Sequence, residues 1–333
     1  MSFLGLDCGS SSVKACYSEI AKPYRDVSIA TVPEFPGKHK SNLIYIDEVG
    51  YLVGEDALIN ESKVREQPNV QPDFHGSIEQ VAIHCGVFRD LQLDRVANVG
   101  KLALTVPYSL KTETSVIEKL KSKTSYQWEQ FEGNRLVKKS VNFDSVEVIP
   151  QGVGAAVRHG LLNNPKYETF GVLEVGSVTI EAIVFRWSNK RDFHMYNEEV
   201  SSSLRNISIS QVYSDLRKRL NNVPGLENRE FSYFELCEIL ENKRYNIQMG
   251  STNISESLVR DKVIETMNYF TENLALDAQD QWGKNLWQRL NRLLISGGGA
   301  GLVNKGAWRC ADRTIYGDSF DNVIGSVEYF AGK

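Results

Sequence analysis

The sequence predicts an α/β protein built from two related domains, and three observations carry that expectation. Its 333 residues suit roughly two domains at ~100–200 residues each. Residues 6–14 (LDCGSSSVK) and 173–181 (LEVGSVTIE) align without a gap, half a chain apart, which suggests two related halves. Strand-like apolar runs alternate along the chain with helix-periodic segments, the pattern of sheets covered by helices.

In both copies of the repeat an apolar strand (Phe3, Leu4, Leu6; Val172, Leu173, Val175) ends in an acid and turns at Gly-Ser. It then resumes as a second run (Val13, Ala15, Tyr17; Ile180, Ala182, Val184). That pattern reads as a hairpin whose tip carries an acid, a glycine and hydroxyls. Residues 20–99 are more polar, with short strands at 43–46 and 51–53, and read as an insertion into the first half. Residues 101–107 (KLALTVP) and 145–149 (SVEVI) are strands ended by proline. Residues 151–162 open on QGVGAA as a helix, whose small first turns let another backbone or a ligand approach; Asn163, Asn164 and Pro165 break it. A second polar block, about 190–253 and mainly helical from 207, plays the insertion's part in the second half. Val259, Val263, Met267, Phe270 and Leu274 recur at helical spacing and predict a long amphipathic helix from 257. Residues 293–296 form a strand feeding Gly297, Gly298 and Gly299, with a helix expected at Leu302; such a turn suits the approach of a nucleotide.

Composition narrows the function. The 41% hydrophobic and 24% charged residues exclude wholesale disorder. The 38 Lys+Arg against 42 Asp+Glu leave a net charge of −4, so nothing in the bulk electrostatics favours nucleic acid or anionic lipid. Contact with DNA would pass through a partner. Five scattered cysteines without a C-x-x-C pair fit a reducing cytoplasm. The start MSFLGLDCGSSSVK lacks the basic region of a secretory leader, and no run approaches the ~18 apolar residues of a membrane span. His39, His75, His84, His159 and His194 match no familiar metal spacing.

Two acid-x-Gly-Ser hairpins facing one another would line a cleft with backbone N–H groups, which suits a polyphosphate such as ATP with a divalent metal. Asp7 can accept hydrogen bonds from the waters that Mg²⁺ retains. Gly9 lets the chain approach a phosphate, Ser10, Ser11 and Ser12 offer donors, and Lys14 adds a positive charge. Each hairpin alone also fits an ordinary structural turn, as do the three glycines after 296.

Five motifs in one order, GLDCGSSSVK, PQGVGAA, VLEVGSVTIE, LLISGGGAGL and NVIGSVEYF, span nearly the whole chain. In these the chain resembles the actin-like ATPase superfamily, with its phosphate 1, connect 1, phosphate 2, adenosine and connect 2 motifs. KLALTVPYS, FEGNRLVKKSVNF and VEVIPQGVGAA look most like the ParM-type bacterial and archaeal actins of plasmid segregation. The resemblance implies an actin-like (ribonuclease H-like) duplicated two-domain fold with a central nucleotide cleft. Domain I would comprise 1–152 plus 313–333, with 20–99 as a smaller inserted subdomain, and domain II 153–312, with about 190–253 inserted. It further implies ATP/ADP and Mg²⁺ as cofactors, head-to-tail filaments with itself, and hydrolysis that destabilises them. The expected partner is a DNA-binding adaptor of the ParR type, with no direct nucleic acid or membrane contact.

Carried over residue by residue, the resemblance makes Asp7 the phosphate-1 acid near the metal and Lys14 the basic residue near the phosphates. Gln151 takes the connect-1 position and would orient the attacking water, since an amide donates and accepts but is too weak a base to deprotonate it. Glu174 would join the metal-water shell, with Gly176, Ser177 and Val178 at the phosphates. Here the chain departs from the family: Glu174 stands where Asp is usual, Ser177-Val178 replaces Gly-Gly or Gly-Thr, and Glu181 replaces a later Asp. In-line attack is sensitive to displacements of ~1 Å, so slowed hydrolysis or a moved metal is expected. Gly297, Gly298 and Gly299 would run beside the adenosine and α-phosphate, and Glu238 is the polar candidate at the ribose and adenine. Two other functions remain open: an actin-like nucleotide-binding scaffold with weak or no hydrolysis, and a small-molecule kinase. The kinase would need a carboxylate base that Gln151 cannot supply.

Overall fold

A computed structural model describes residues 2–9, 12–20, 22–60, 74–204, 207–249, 252–308 and 310–332; Ser10 and Ser11 lie outside these. The chain divides into two units, Met1–Leu161 with Phe320–Lys333, and Leu162–Ser319.

The main sheet of the first unit runs in the order Tyr24–Val27, Ser12–Tyr17, Phe3–Cys8, Lys101–Val106, Ser145–Pro150. Its first two pairings are antiparallel and its last two parallel. Phe3–Cys8 is buried along its whole length, as a central strand covered on both faces must be. The helix expected over 151–162 spans only Val153–Arg158. Gly160, at φ +64, ends it: its N–H donates to Val157 O (2.8 Å) and that of Leu161 to Ala156 O (2.9 Å), the paired bonds of a Schellman cap.

This short helix crosses Asp321–Ala331 through glycine. A Cβ on Gly154 would lie 2.2 Å from Asn322 O, and one on Gly325 1.8 Å from Gly154 O. Both obstacles are backbone atoms that no rotamer change can move, so the small residues in QGVGAA serve the approach of another backbone.

A second sheet of the first unit runs Ala30–Thr31, Val49–Val53, Ile44–Ile46, Ser125–Glu132, Arg135–Asn142. The inserted region is therefore not the continuous segment 20–99: Tyr24–Val27 belongs to the main sheet, and the hairpin over 125–142 joins the smaller one. Aromatic packing explains that second change. Tyr126 meets Phe88 of the helix Ile78–Asp90 edge-on at 5.1 Å, and Phe143 lies 5.6 Å from Phe88.

The second unit repeats the first strand for strand. Its sheet runs Phe193–Tyr196, Ile180–Ser188, Thr169–Val175, Arg292–Ser296, Thr314–Tyr316, again with two antiparallel and then two parallel pairings. Ser202–Leu204 also pairs with Ile180–Ser188, so the inserted block begins after Leu204 instead of near 190. It contributes helices Ile209–Leu220 and Tyr233–Leu240. The long helix is Glu256–Trp282 and buries Val259, Val263, Phe270 and Leu274 as their spacing requires, while Met267 is only partly buried. Thr266 and Thr271 complete its inner face, their hydroxyls bonded to the carbonyls of Lys262 and Met267.

Two boundaries differ from those expected. Val153–Arg158 stays with the first unit through its glycine crossing, and Thr314–Tyr316 stays with the second because it pairs with Arg292–Ser296. After the latter strand, a single 3-10 turn, Ala300–Leu302, stands where a helix was expected. Among the described residues no helix is long and apolar enough to cross a membrane.

Candidate functional site

Sheet register in the first unit sets Asp7 between Lys14 on one neighbouring strand and Thr105 on the other. Asp7 is 1% exposed, and a carboxylate so buried requires pairing and hydrogen bonds. It has both. Oδ1 accepts from Thr105 Oγ1 (2.8 Å) and from Gln151 Nε2 (2.9 Å), and Lys14 Nζ stands 3.3 Å from Oδ2. Gln151 is held from behind: its N–H donates to Val106 O (2.7 Å), while Asn322 Oδ1 accepts from the N–H groups of Gly152 (2.9 Å) and Ala155 (3.3 Å). Gly9 N–H donates to Ser12 O (3.1 Å) and closes the hairpin.

Asp7, Gly9, Ser12, Lys14 and Gln151 are thus brought together, and Thr105 is added. The motif reading passed over Thr105, although it is the one hydroxyl in the apolar strand KLALTV. Cys8 plays no part as a nucleophile: burial pushes its thiol up to about 12, and its Sγ packs 3.3 Å from Ser28 Oγ.

In the second unit the equivalent register places Glu174 between Glu181 and Ser296. Ser296 corresponds to Thr105, but the cation Lys14 is replaced by a carboxylate. Glu174 is 5% exposed and Glu181 1%; Glu181 accepts from Thr179 Oγ1 (2.9 Å) and from the Ser203 hydroxyl. Like charges opposite each other on adjacent strands oppose folding, and a cation or a shared proton relieves them. Glu181→Gln is therefore expected to raise stability in EDTA by on the order of 1 kcal/mol, read from urea unfolding.

Gly176 N–H donates to Thr179 O (3.0 Å), closing a tip that carries Ser177 and a half-buried Val178. The N–H groups of Ile209 and Ser210 donate to Gly176 O (3.3 Å) and Ser177 O (2.9 Å), tying the tip to the start of helix Ile209–Leu220. The glycine turn rests on the same hairpin. Gly297 adopts φ +92 with room for no Cβ, since Val175 O would lie 2.7 Å away, and Gly299 N–H donates to Val175 O (3.0 Å). A Cβ on Gly298 would meet nothing within 4 Å, whereas one on Gly299 would lie 2.4 Å from Val175 Cγ1, so of the three glycines only Gly298 faces open space. Glu238 stands apart from this group: among the described residues its side chain pairs with Asn242 Nδ2 (2.7 Å) and Arg244, at the end of its own helix.

Among the described residues no cluster of three His, Cys, Asp or Glu could hold a metal ion. Asp7, between a lysine and a threonine hydroxyl, and Glu174, opposite a second carboxylate and beside Ser296, fit an ion that keeps most of its waters, as magnesium does, better than one bound directly by several side chains.

No protein-family model matches the chain, and no curated protein matches it by sequence. Solved structures do match. An archaeal actin homolog covers 100% of both chains at 17% identity with a TM-score of 0.79. A ParM from Clostridium botulinum, in a 15-stranded filament, covers 100% of this chain and 99% of its own at 18% identity with a TM-score of 0.71. The chain has the actin-like fold. An ADP complex of the archaeal homolog also covers 100% of both chains, at 16% identity and a TM-score of 0.71. The two units of this actin-like chain, which resembles ParM, are the two domains of that fold, and the five strands they share are its duplication.

Proposed function

We infer that this actin-like chain binds ATP with magnesium, hydrolyses it, and assembles with copies of itself into filaments that partition DNA through an adaptor of the ParR type. The observation that carries the catalytic part is the grip of Asp7 on Gln151. With Nε2 committed to Asp7 Oδ1 at 2.9 Å, the amide has one orientation, and its Oε1 is left to accept a proton of water. Gln151 then positions that water for attack on the γ-phosphorus; a P–O bond forms as the bond to the β–γ bridging oxygen breaks, giving ADP and phosphate. With magnesium bound, hydrogen bonds from its waters would be accepted by Asp7 in the first unit and by Glu174 in the second. When bound, magnesium neutralises phosphate charge. Lys14, Gly9 and Ser12 in the first unit, and Gly176, Ser177 and Val178 in the second, supply charge and amides to the phosphates. Gly298, which leaves open space between the packed Gly297 and Gly299, suits the nucleoside; Glu238, the polar group assigned to the ribose, would have to leave Asn242 and Arg244 to reach it.

The ADP complex and the filament among the solved neighbours support nucleotide binding and self-assembly here. The net charge of −4 supports an indirect link to DNA. A second reading, binding and assembly without useful hydrolysis, is favoured by the carboxylate pair Glu174 and Glu181 in the second hairpin.

Sedimentation and phosphate release with magnesium and ATP, ADP or no nucleotide test both readings. Polymers with turnover are expected. Polymers without turnover select the scaffold, and turnover without polymers refutes the filament. Gln151→Ala should lower turnover by ~10–100-fold with ATP binding retained; undiminished turnover would remove the water-positioning role. Glu174→Asp should change turnover, and if neither turnover nor binding moves, Glu174 has no place at the metal waters.

A further inference from the structure

The helix Val153–Arg158 has six residues, too few to be stable by itself, so contacts outside it set its direction. It starts at Gly152, which adopts φ +86 and has no side chain to cap it. Asn322 supplies the missing acceptor. Its Oδ1 takes the N–H groups of Gly152 (2.9 Å) and Ala155 (3.3 Å), which an N-cap side chain would ordinarily satisfy from within the helix. Asn322 is itself fixed: it is 2% exposed, and Ser326 Oγ donates to its carbonyl at 2.6 Å.

The opposite end is tied to the residue before Asn322. His159, the C-terminal cap of the short helix, places its Nε2 3.0 Å from Asp321 Oδ2. Asp321 is 4% exposed. A carboxylate only accepts, so this bond keeps the ring proton on Nε2. Consecutive residues at the start of Asp321–Ala331 thus hold both ends of Val153–Arg158. Arg158 also pairs with Glu328, but both side chains stand largely in water and such a pair contributes little.

The place of the bond in the chain gives it weight. The chain leaves the first unit after Leu161 and returns to it at Phe320, beside His159 and Asp321. Segments at the margin of a compact unit are where local opening costs least. A bond there keeps both helix ends seated, and with them Gly152, the neighbour of Gln151.

We propose that His159 and Asp321 are positioning residues for ATP hydrolysis: their bond seats the short helix against Asn322 and so keeps Gln151 in the orientation in which Asp7 grips it. This rests on the water-positioning role inferred above for Gln151. The strand before Gln151 fixes its N–H on Val106 O, whereas the backbone after it is fixed only as firmly as the helix it enters. A displacement of ~1 Å at that amide is enough to lower turnover by 10-fold or more.

The test uses the full chain with magnesium and ATP. His159→Ala should lower kcat by ~10-fold while the KM for ATP stays within ~2-fold. His159→Gln, whose Nε2 can donate to the same carboxylate, should recover most of that loss. In a Gln151→Ala chain the further change His159→Ala should cost no more than ~2-fold, because the group it positions is gone. An undiminished kcat in His159→Ala, the same loss in both backgrounds, or no recovery by glutamine overturns the proposal. Hydrogen exchange provides a readout without turnover: in His159→Ala the N–H groups of Gly152 and Ala155 should exchange ~10-fold faster or more, while those of Phe3–Cys8 keep the wild-type rate. If the wild type turns over no ATP, the hydrolysis reading falls; faster exchange then still supports the seating of the helix by His159, and unchanged exchange overturns that as well.

Discussion

Gly325→Ala is expected to destabilise the first unit by ~3 kcal/mol or more, although it adds one methyl group. That methyl would sit 1.8 Å from Gly154 O, 2.5 Å from Gly154 C and 3.1 Å from Arg158 N. Only a separation of the two helices can remove such an overlap. Separation costs the Asn322 side chain its bonds to Gly152 and Ala155, and with them the support behind Gln151. Urea unfolding should show a lower midpoint, and turnover should fall even where the variant is folded. Gly332→Ala, at the C-terminal cap of the same helix, is the control, because a Cβ there meets Glu328 O at 3.5 Å, an ordinary contact; it should stay within ~0.5 kcal/mol of the wild type. Equal stability of Gly325→Ala would show that the helices do not cross through glycine.

Acid should weaken the first unit well above the range in which carboxylates titrate. His84 is 1% exposed and His75 5%. Burial lowers His84 to about 3, helped by the nearby His75 and Lys123, and lowers His75 to about 4 against the pull of Asp7. Around them stand Tyr126, whose OH is 3.4 Å from His84 Nδ1, and Gln80, whose Nε2 is 3.4 Å from His75 Nδ1.

The folded state holds both rings neutral, whereas an unfolded histidine takes a proton near pH 6.5. Below that pH the unfolded chain binds more protons, so stability is intact above about 6.5, falls as pH drops, and levels off only near the folded values. The slope approaches about 1.4 kcal/mol per pH unit for each ring. Asp26, whose carboxyl burial raises, works in the opposite sense, over the interval from the ordinary aspartate value up to its raised one. His84→Leu should halve the slope between pH 6.5 and 4.5, read as hydrogen exchange of the helix Ile78–Asp90. An unchanged slope would mean that His84 is not buried neutral.

The parts of the site that were legible in the sequence are those a hairpin generates locally. Asp7 and Lys14 lie seven residues apart, and a tight turn between them leaves one pairing register. The same holds for Glu174 and Glu181. Gln151 was legible through the resemblance of PQGVGAA to the connect-1 motif, since nothing local distinguishes it from an ordinary residue at a helix start. Thr105 was not, since its bond to Asp7 spans 98 residues and depends on the parallel register of two strands that no local pattern fixes. The hairpin over 125–142 was likewise missed as part of the smaller sheet, because its place there comes from Tyr126 and Phe143 packing on Phe88. Gly160 carried a usable signal for the early helix end, but the apolar pair Leu161 and Leu162 beyond it suggested continuation.

By itself, the order of residues determined the duplication, the two acid-bearing turns and the glycines that must stay bare, because each depends on neighbours within a few positions. Only the tertiary structure decided that the first acid sits between a cation and a hydroxyl while its counterpart sits between a carboxylate and a hydroxyl in the same strand order. Strand order and helix crossings are set by distant segments competing to bury apolar surface, and that competition is settled only when the whole chain has packed.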